Sequence, residues 1–225
     1  MIGGFPHRPE DSFFHLAIER LRKQTEINLI PSLFTMGGFP ITRVPKHLKP
    51  RCLDAQPHIV LLQFGSSDLI VPLRRRNHRV SSLPVHRNVS TNLPVLVDRL
   101  KWNCQSLIGD GLRLEPVTPP NIYLETLNLL ARTLVEHRVI PVVLSPFVFG
   151  GRRSDRIARD SSGRLQQLLN PIPTAVFVDA YAALDKHPHW RMLLSDGSHL
   201  SLEGHQVVAG ALFPCLKKLI QTRLG

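Results

Sequence analysis

Aromatic residues make up only 6% of the 225-residue chain, with two tryptophans and two tyrosines. That scarcity speaks against a stacking platform for nucleic-acid bases. Cysteine is also scarce. Cys52, Cys104 and Cys215 stand far apart, no CxxC pair exists, and the odd count argues against a complete disulfide framework. No metal-ligand spacing and no glycine-rich phosphate loop is present, so neither a metal nor a cofactor is expected. No apolar run approaches the ~20 residues needed to span a bilayer. The opening Met-Ile-Gly-Gly-Phe-Pro-His-Arg-Pro-Glu-Asp lacks a signal-peptide core. With Met1 as the true start the protein would be cytoplasmic; a start further upstream leaves the compartment unknown. Acidic residues are in deficit, 17 against 28 Lys and Arg, giving a net charge of +11 and a pI near 10.4. That excess permits attraction to nucleic acid, anionic lipid or an acidic substrate without selecting among them.

What is present is an ordinary globular composition, 43% hydrophobic and 20% charged. The length suffices for one domain with a substantial core. Ser12 precedes an apolar-periodic run, Phe13 to Leu21, and predicts a capped amphipathic helix over Ser12–Lys23. Ile27 to Phe34 reads as a strand leading into Thr35-Met36-Gly37-Gly38. Buried strands are predicted at Pro57–Phe64, Val139–Ser145 and Thr174–Val178. Helices are predicted at about Ile122–His137, Ser154–Leu169 and Leu202–Leu224, and one resumes around Leu93–Cys104. Strands alternating with helices predict an α/β fold, a three-layer sandwich around a mainly parallel sheet. Residues 1–225 read as one domain, interrupted by a basic irregular insertion at 70–92 containing Arg74, Arg75 and Arg76.

Three segments fall in order at predicted strand ends: Thr35-Met36-Gly37-Gly38, Gly65-Ser66-Ser67-Asp68 and Asp196-Gly-Ser-His199. Open α/β sheets build their sites at the carboxyl ends of strands. An Asp three residues before a His can fix its tautomer and stabilise its imidazolium, as in acyl-transfer triads. Taken alone, Asp196 and His199 read by default as a helix-capping carboxylate and a surface imidazole.

This order of blocks resembles the SGNH, or GDSL-type, hydrolase superfamily, over most of the chain from the first helix to the last. The resemblance implies a flavodoxin-like sheet and serine ester hydrolysis of the esterase, lipase or deacetylase kind. Asp196 and His199 match the block holding two triad members, and Leu200 and Gly204-His205 extend that match. Gly37 matches the block with an oxyanion-hole glycine, although Thr35 replaces its usual Asn. Gly65 and Asp68 match the third block, but Ser67 stands where the family has an oxyanion-donating Asn. The resemblance therefore assigns His199 and Asp196 to catalysis and Gly37 and Ser67 to the oxyanion hole. The Arg74–Arg79 cluster is ordinarily a solvated loop; because it follows the third block, Arg74, Arg75 and Arg76 are also candidates for a substrate rim.

The family's first block, a strand followed by Gly-Asp-Ser, has no counterpart here. Residues 1–9 hold no buried strand, so Glu10-Asp11-Ser12 makes a poor nucleophile elbow. The expectation is a truncated domain whose nucleophile block lies upstream of Met1 and whose first strand is missing. The chain as written would then be inactive, and whether it is an enzyme stays open. The substrate class implied is a small-molecule or glycan ester, anionic if the arginine rim serves it. Two alternatives stand beside it: a non-catalytic binding descendant, and a basic nucleic-acid-associated protein, which the lack of aromatics and of any recognised binding module disfavours.

Overall fold

The computed structural model describes residues 9–25, 27–34, 39–71, 115–147, 152–188 and 199–223, with Cys104, Ile108 and Met192. The first helix, α1 (Phe13–Gln24), starts where the serine signal places it. Ser12 is the N-cap, and its Oγ accepts from the His15 N–H at 3.4 Å. Ala17 and Leu21, one turn apart, are fully buried, while Arg22 and Lys23 occupy the last turn, where positive charge suits the helix dipole.

A short helix not anticipated from the sequence, α2 (Pro45–Arg51), uses Pro45 in its first turn, where the missing N–H costs nothing. The strands are β1 (Ile59–Leu62), β2 (Ile140–Leu144) and β3 (Val176–Val178), paired in parallel in the order β1-β2-β3. Register runs from Ile59 opposite Ile140 to Leu62 opposite Val143, and from Val142 opposite Val176 to Leu144 opposite Val178. Ile140 donates to His58 O on one side of β2, and Ser145 donates to Val178 O on the other. Backbone groups alternate sides along a strand, so Pro141 turns its absent N–H toward the β3 side, one residue before that pairing begins.

The remaining helices are α3 (Pro120–Glu136), α4 (Arg152–Leu169), α5 (Ala180–Asp185) and α6 (Leu202–Arg223). Along α3, Tyr123, Leu124, Leu127, Leu130, Ala131 and Leu134 are buried, the stripe of a helix with one face on a core. The inner face of α4 is built from Ser154, Ala158, Ser161, Ser162, Leu165 and Leu169. Asp179 caps α5, its Oδ1 accepting from the Ala182 N–H at 2.9 Å. Helix α3 lies against β2 and α4, whereas α6 lies against α1, α5 and β3. Val142, Val143 and Leu144 are all fully buried, so both faces of the central strand are covered. The expected α/β class, a parallel sheet between helical layers, is what the chain adopts.

Helices α1 and α6 run parallel. Phe13 meets His205, the space beside Gly210 meets Arg20, and Gln24 accepts from Lys217 Nζ at 2.9 Å.

One expected element differs. Residues 27–34 form no strand; Ile30 is 88% exposed, and Leu33 and Phe34 are exposed. The segment is tethered instead to α1, with Arg22 Nη2 donating to Leu29 O at 3.0 Å. A strand exists only where a second backbone pairs with it, and no described strand pairs with this one or with the outer edge of β1. The helix expected near Leu93–Cys104 and most of the 70–92 insertion lie outside the described residues.

Candidate functional site

At the carboxyl end of β1 the chain must turn sharply. Gly65 has φ +117°, a region closed to other residues, and the Leu69 N–H closes the turn onto Gly65 O at 2.9 Å. Space makes the same demand: a Cβ there would lie 2.6 Å from Pro146 Cβ and 3.1 Å from Tyr123 Oη. Tyr123, wholly buried, donates to Phe64 O at 3.2 Å and so fixes the end of the strand. Ser66 is exposed, Ser67 half-buried and Asp68 buried.

Asp68 is the anchor of this end. Its Oδ1 accepts from the Ile41 N–H and the Thr118 hydroxyl, each at 2.8 Å, and its carbonyl accepts from the Thr118 N–H, also at 2.8 Å. One carboxylate thus ties the Ser67 turn to the segment four residues beyond Gly37 and to the start of α3. Burial pushes the Asp68 carboxyl above its ordinary value, against the lowering effect of the Ile41 and Thr118 hydrogen bonds. The Tyr123 phenol is raised well above its usual range, first by burial and then by the Asp68 charge. The Val117 N–H donates to Ile70 O at 3.1 Å, so the long excursion between them is held closed at its base.

The other sequence-predicted residue that is described, His199, precedes α6. His199 is half-buried and Leu200 buried. Ser201 caps the helix: its Oγ accepts from the Gly204 N–H at 3.1 Å, and its own N–H donates to Met192 O at 2.8 Å. A Cβ on Gly204 would lie 2.8 Å from that same Met192 carbonyl, which explains glycine in the Gly204-His205 pair. His205 is 5% exposed, accepts the Phe13 N–H on Nδ1 at 3.3 Å and stacks on the Phe13 ring with centroids 5.9 Å apart. The start of α1 and the start of α6 therefore meet. Ser12 is 4% exposed, with its hydroxyl 2.8 Å from His15 Nδ1, so it is a buried cap rather than an accessible nucleophile.

Of the residues singled out in the sequence, Ser67 lies on the β1 turn and His199 just before α6. Gly37, Asp196, Arg74, Arg75 and Arg76 lie outside the described residues. Among the described residues no cluster of His, Cys, Asp and Glu could hold a metal ion. No helix among them is long and apolar enough to cross a membrane. The thiols of Cys52 and Cys215 are partly buried and Cys104 is exposed; burial raises the first two above the usual thiol value. Sequence reasoning missed the anchoring role of Asp68, whose partners are 27 and 50 positions away. Its place in the third block was the only signal.

No family model and no curated protein sequence matches the chain. Solved structures do. Axe2, an acetylxylan esterase from Geobacillus stearothermophilus, superposes with a TM-score of 0.61 at 15% identity, over 90% of this chain and 80% of that one. The psychrotrophic esterase EstA from Pseudoalteromonas sp. gives 0.58 at 13% identity, over 98% and 96%. A lipolytic protein of the G-D-S-L family from Desulfitobacterium hafniense gives 0.58 at 11% identity, over 95% of each. The chain has the fold of the SGNH/GDSL-type hydrolases.

Proposed function

We propose that the protein descends from the SGNH-type serine ester hydrolases and keeps their base, orienting acid and oxyanion donors. The observation that carries this reading is the meeting of α1 and α6 at Phe13 and His205, in a fold whose solved examples include esterases. It brings the start of α1 against the start of α6, the helix that follows His199. In the proposed reaction a serine from a Gly-Asp-Ser block preceding Met1 attacks the ester carbonyl. His199 takes the serine proton and later gives it to the leaving alcohol; Asp196 holds the imidazole in the correct tautomer. The tetrahedral oxyanion is met by the Gly37 N–H, the nucleophile's own N–H and the Ser67 hydroxyl. Water, activated by His199, then releases the acyl group. Arg74, Arg75 and Arg76 form the rim that an anionic small-molecule or glycan ester would meet.

The Asp68 anchor supports this arrangement, because it clamps the segment following Gly37 onto the turn that carries Ser67. A serine in place of Asn at position 67 offers a shorter donor, so the oxyanion hole is weaker than a full set. Losing one such donor typically costs about 10²–10³ in rate.

The test is hydrolysis of short acyl esters by the 225-residue chain and by a chain extended upstream with a strand and Gly-Asp-Ser. The extended chain should turn over, the shorter one should not, and His199→Ala should reduce the extended chain's kcat by about 10⁴ or more. Turnover by the shorter chain that Ser12→Ala removes would identify Glu10-Asp11-Ser12 as the working block. No turnover by the extended chain on any ester would leave a binding descendant as the better reading.

A further inference from the structure

Away from the Ser67 turn, the base of the long excursion meets the first two turns of α4 in a cleft of about 590 Å³. Its described walls are Pro116, Pro120 and Ile157, with Arg152, Arg153 and Arg156 supplying the positive charge and Glu115 the only carboxylate among the described residues. The volume is that of a small-molecule site, which combines apolar walls with a few polar groups.

The charge balance is the telling feature. Glu115 pairs with Arg153 at 3.3 Å, but its side chain is 78% exposed, so that pair is a weak one. Arg152 and Arg156 make no ion pair with any described carboxylate. Being four residues apart on one helix, they repel each other slightly. Among the described residues, three guanidinium groups therefore face one cleft with one opposing charge. Arginine's planar fork matches carboxylate and phosphate oxygens in pairs. Pro116 and Pro120 stiffen the opposite wall, so little ordering is needed on binding.

The cleft is also held in register with the site. Val117 and Thr118, which follow its Pro116 wall, bond to Ile70 and Asp68; Ser154, between its arginines, accepts the Val71 N–H at 3.1 Å. Both walls are thus fastened to the chain leaving the Ser67 turn, at the carboxyl end of β1.

We propose that the cleft lined by Arg152, Arg153 and Arg156 is a subsite for an oxyanion group, a carboxylate or a phosphate, carried by the ligand. As a binding site it stands on the cleft alone; as a specificity determinant it rests on the ester-hydrolase reading. An ester bearing such a group would be anchored here by that group.

The experiment is calorimetric titration of the full 225-residue chain at low salt with inorganic phosphate and, separately, with succinate. Saturable binding of at least one probe is expected. The triple variant Arg152→Gln, Arg153→Gln, Arg156→Gln should weaken it at least tenfold. A charge-matched control, Arg20→Gln, Arg132→Gln, Arg164→Gln, should change it less than about twofold. Binding of phosphate alone would mark a tetrahedral-anion site, and binding of succinate alone a carboxylate site. No saturable binding, or equal weakening in both triple variants, overturns the proposal; the second result would mean that only net charge matters. The arginines are at the surface, and an unchanged melting temperature shows that each variant is folded. Binding without hydrolysis by the extended chain would overturn the esterase reading alone. Hydrolysis without binding, and with no preference for acidic over neutral esters, would overturn the subsite alone.

Discussion

The central strand of the sheet and its β1 side are built from similar residues and finished differently. On the β2 side, Val142, Val143 and Leu144 are fully buried, with helices over both faces. On the β1 side, Ile59, Val60 and Leu61 are only half-buried, and the apolar run at 27–34 leaves Ile30 and Leu33 exposed. Both segments have the composition of strands. What separates them is the presence of a second backbone to pair with and a helix to lie beneath. Strand propensity describes what fits a pleated, half-buried surface and does not create that surface.

The sharpest way to test this contrast is truncation on each side. Leu144→Ala should lower stability by about 2–5 kcal/mol, the usual range for a fully buried leucine. Leu61→Ala, on the half-covered strand, should cost about 1–2 kcal/mol, because less of its surface leaves water on folding. Equal losses in urea unfolding would mean that the β1 side is as tightly sealed as the β2 side.

Gly65→Ala probes the boundary between the two regions. The substitution combines a backbone conformation closed to alanine with a Cβ pressed against Pro146, and should cost about 2–4 kcal/mol. A loss below about 0.5 kcal/mol by thermal unfolding would show that the turn can relax.

Asp68 gives a smaller, pH-dependent effect. Asp68→Ala leaves the Ile41 N–H and the Thr118 hydroxyl without their acceptor, at a cost of about 1–3 kcal/mol. Asp68→Asn keeps an oxygen in place and should cost less. Because burial raises this carboxyl, the folded chain holds its proton more tightly than the unfolded chain does. That contribution is fully present below the unfolded-state value of about 3.9 and is lost as pH rises through the folded-state value. The stability of the Asn variant relative to the parent should therefore improve as pH rises from about 4 to 7. A relative stability that worsens over that range would mean that the ionised form is the favoured one.

The smallest effects are spectroscopic and superficial. Tyr181 is pushed up to about 12, mainly by burial, with its phenol donating to Asp155 at 2.9 Å. Tyr123 is higher than its ordinary value too, and these are the chain's two tyrosines. Near-ultraviolet titration of the folded protein should show no phenolate at pH about 10, where an ordinary tyrosine is half-ionised. Ile30→Lys on the unpaired segment should change stability by less than about 0.5 kcal/mol. If the segment does pair in solution, that variant will unfold measurably earlier.

Most of the helical framework was legible because helix signals are local. Ser12 before Phe13, and the apolar stripe from Tyr123 to Leu134, each act within a few residues of themselves. The central strand was legible because it is apolar on both faces. Asp179 gave little warning of α5, a helix too short to show a period, and Pro45 gave little of α2. In the site, Gly65 and Gly204 could be marked from the sequence, but the atoms that exclude a Cβ, Pro146 and Met192, could not.

By itself the sequence determined the order of the three paired strands and the four long helices, and the Ser12 cap. These depend on neighbours along the chain, within one or two turns of helix. Tertiary structure alone decided that residues 27–34 form no strand with the described strands, that Asp68 joins three distant segments, and that Arg152, Arg153 and Arg156 share a cleft with Glu115. Each of these depends on which backbone or charge arrives from elsewhere in the chain. A pairing partner or a buried acceptor has no local period through which the sequence could announce it.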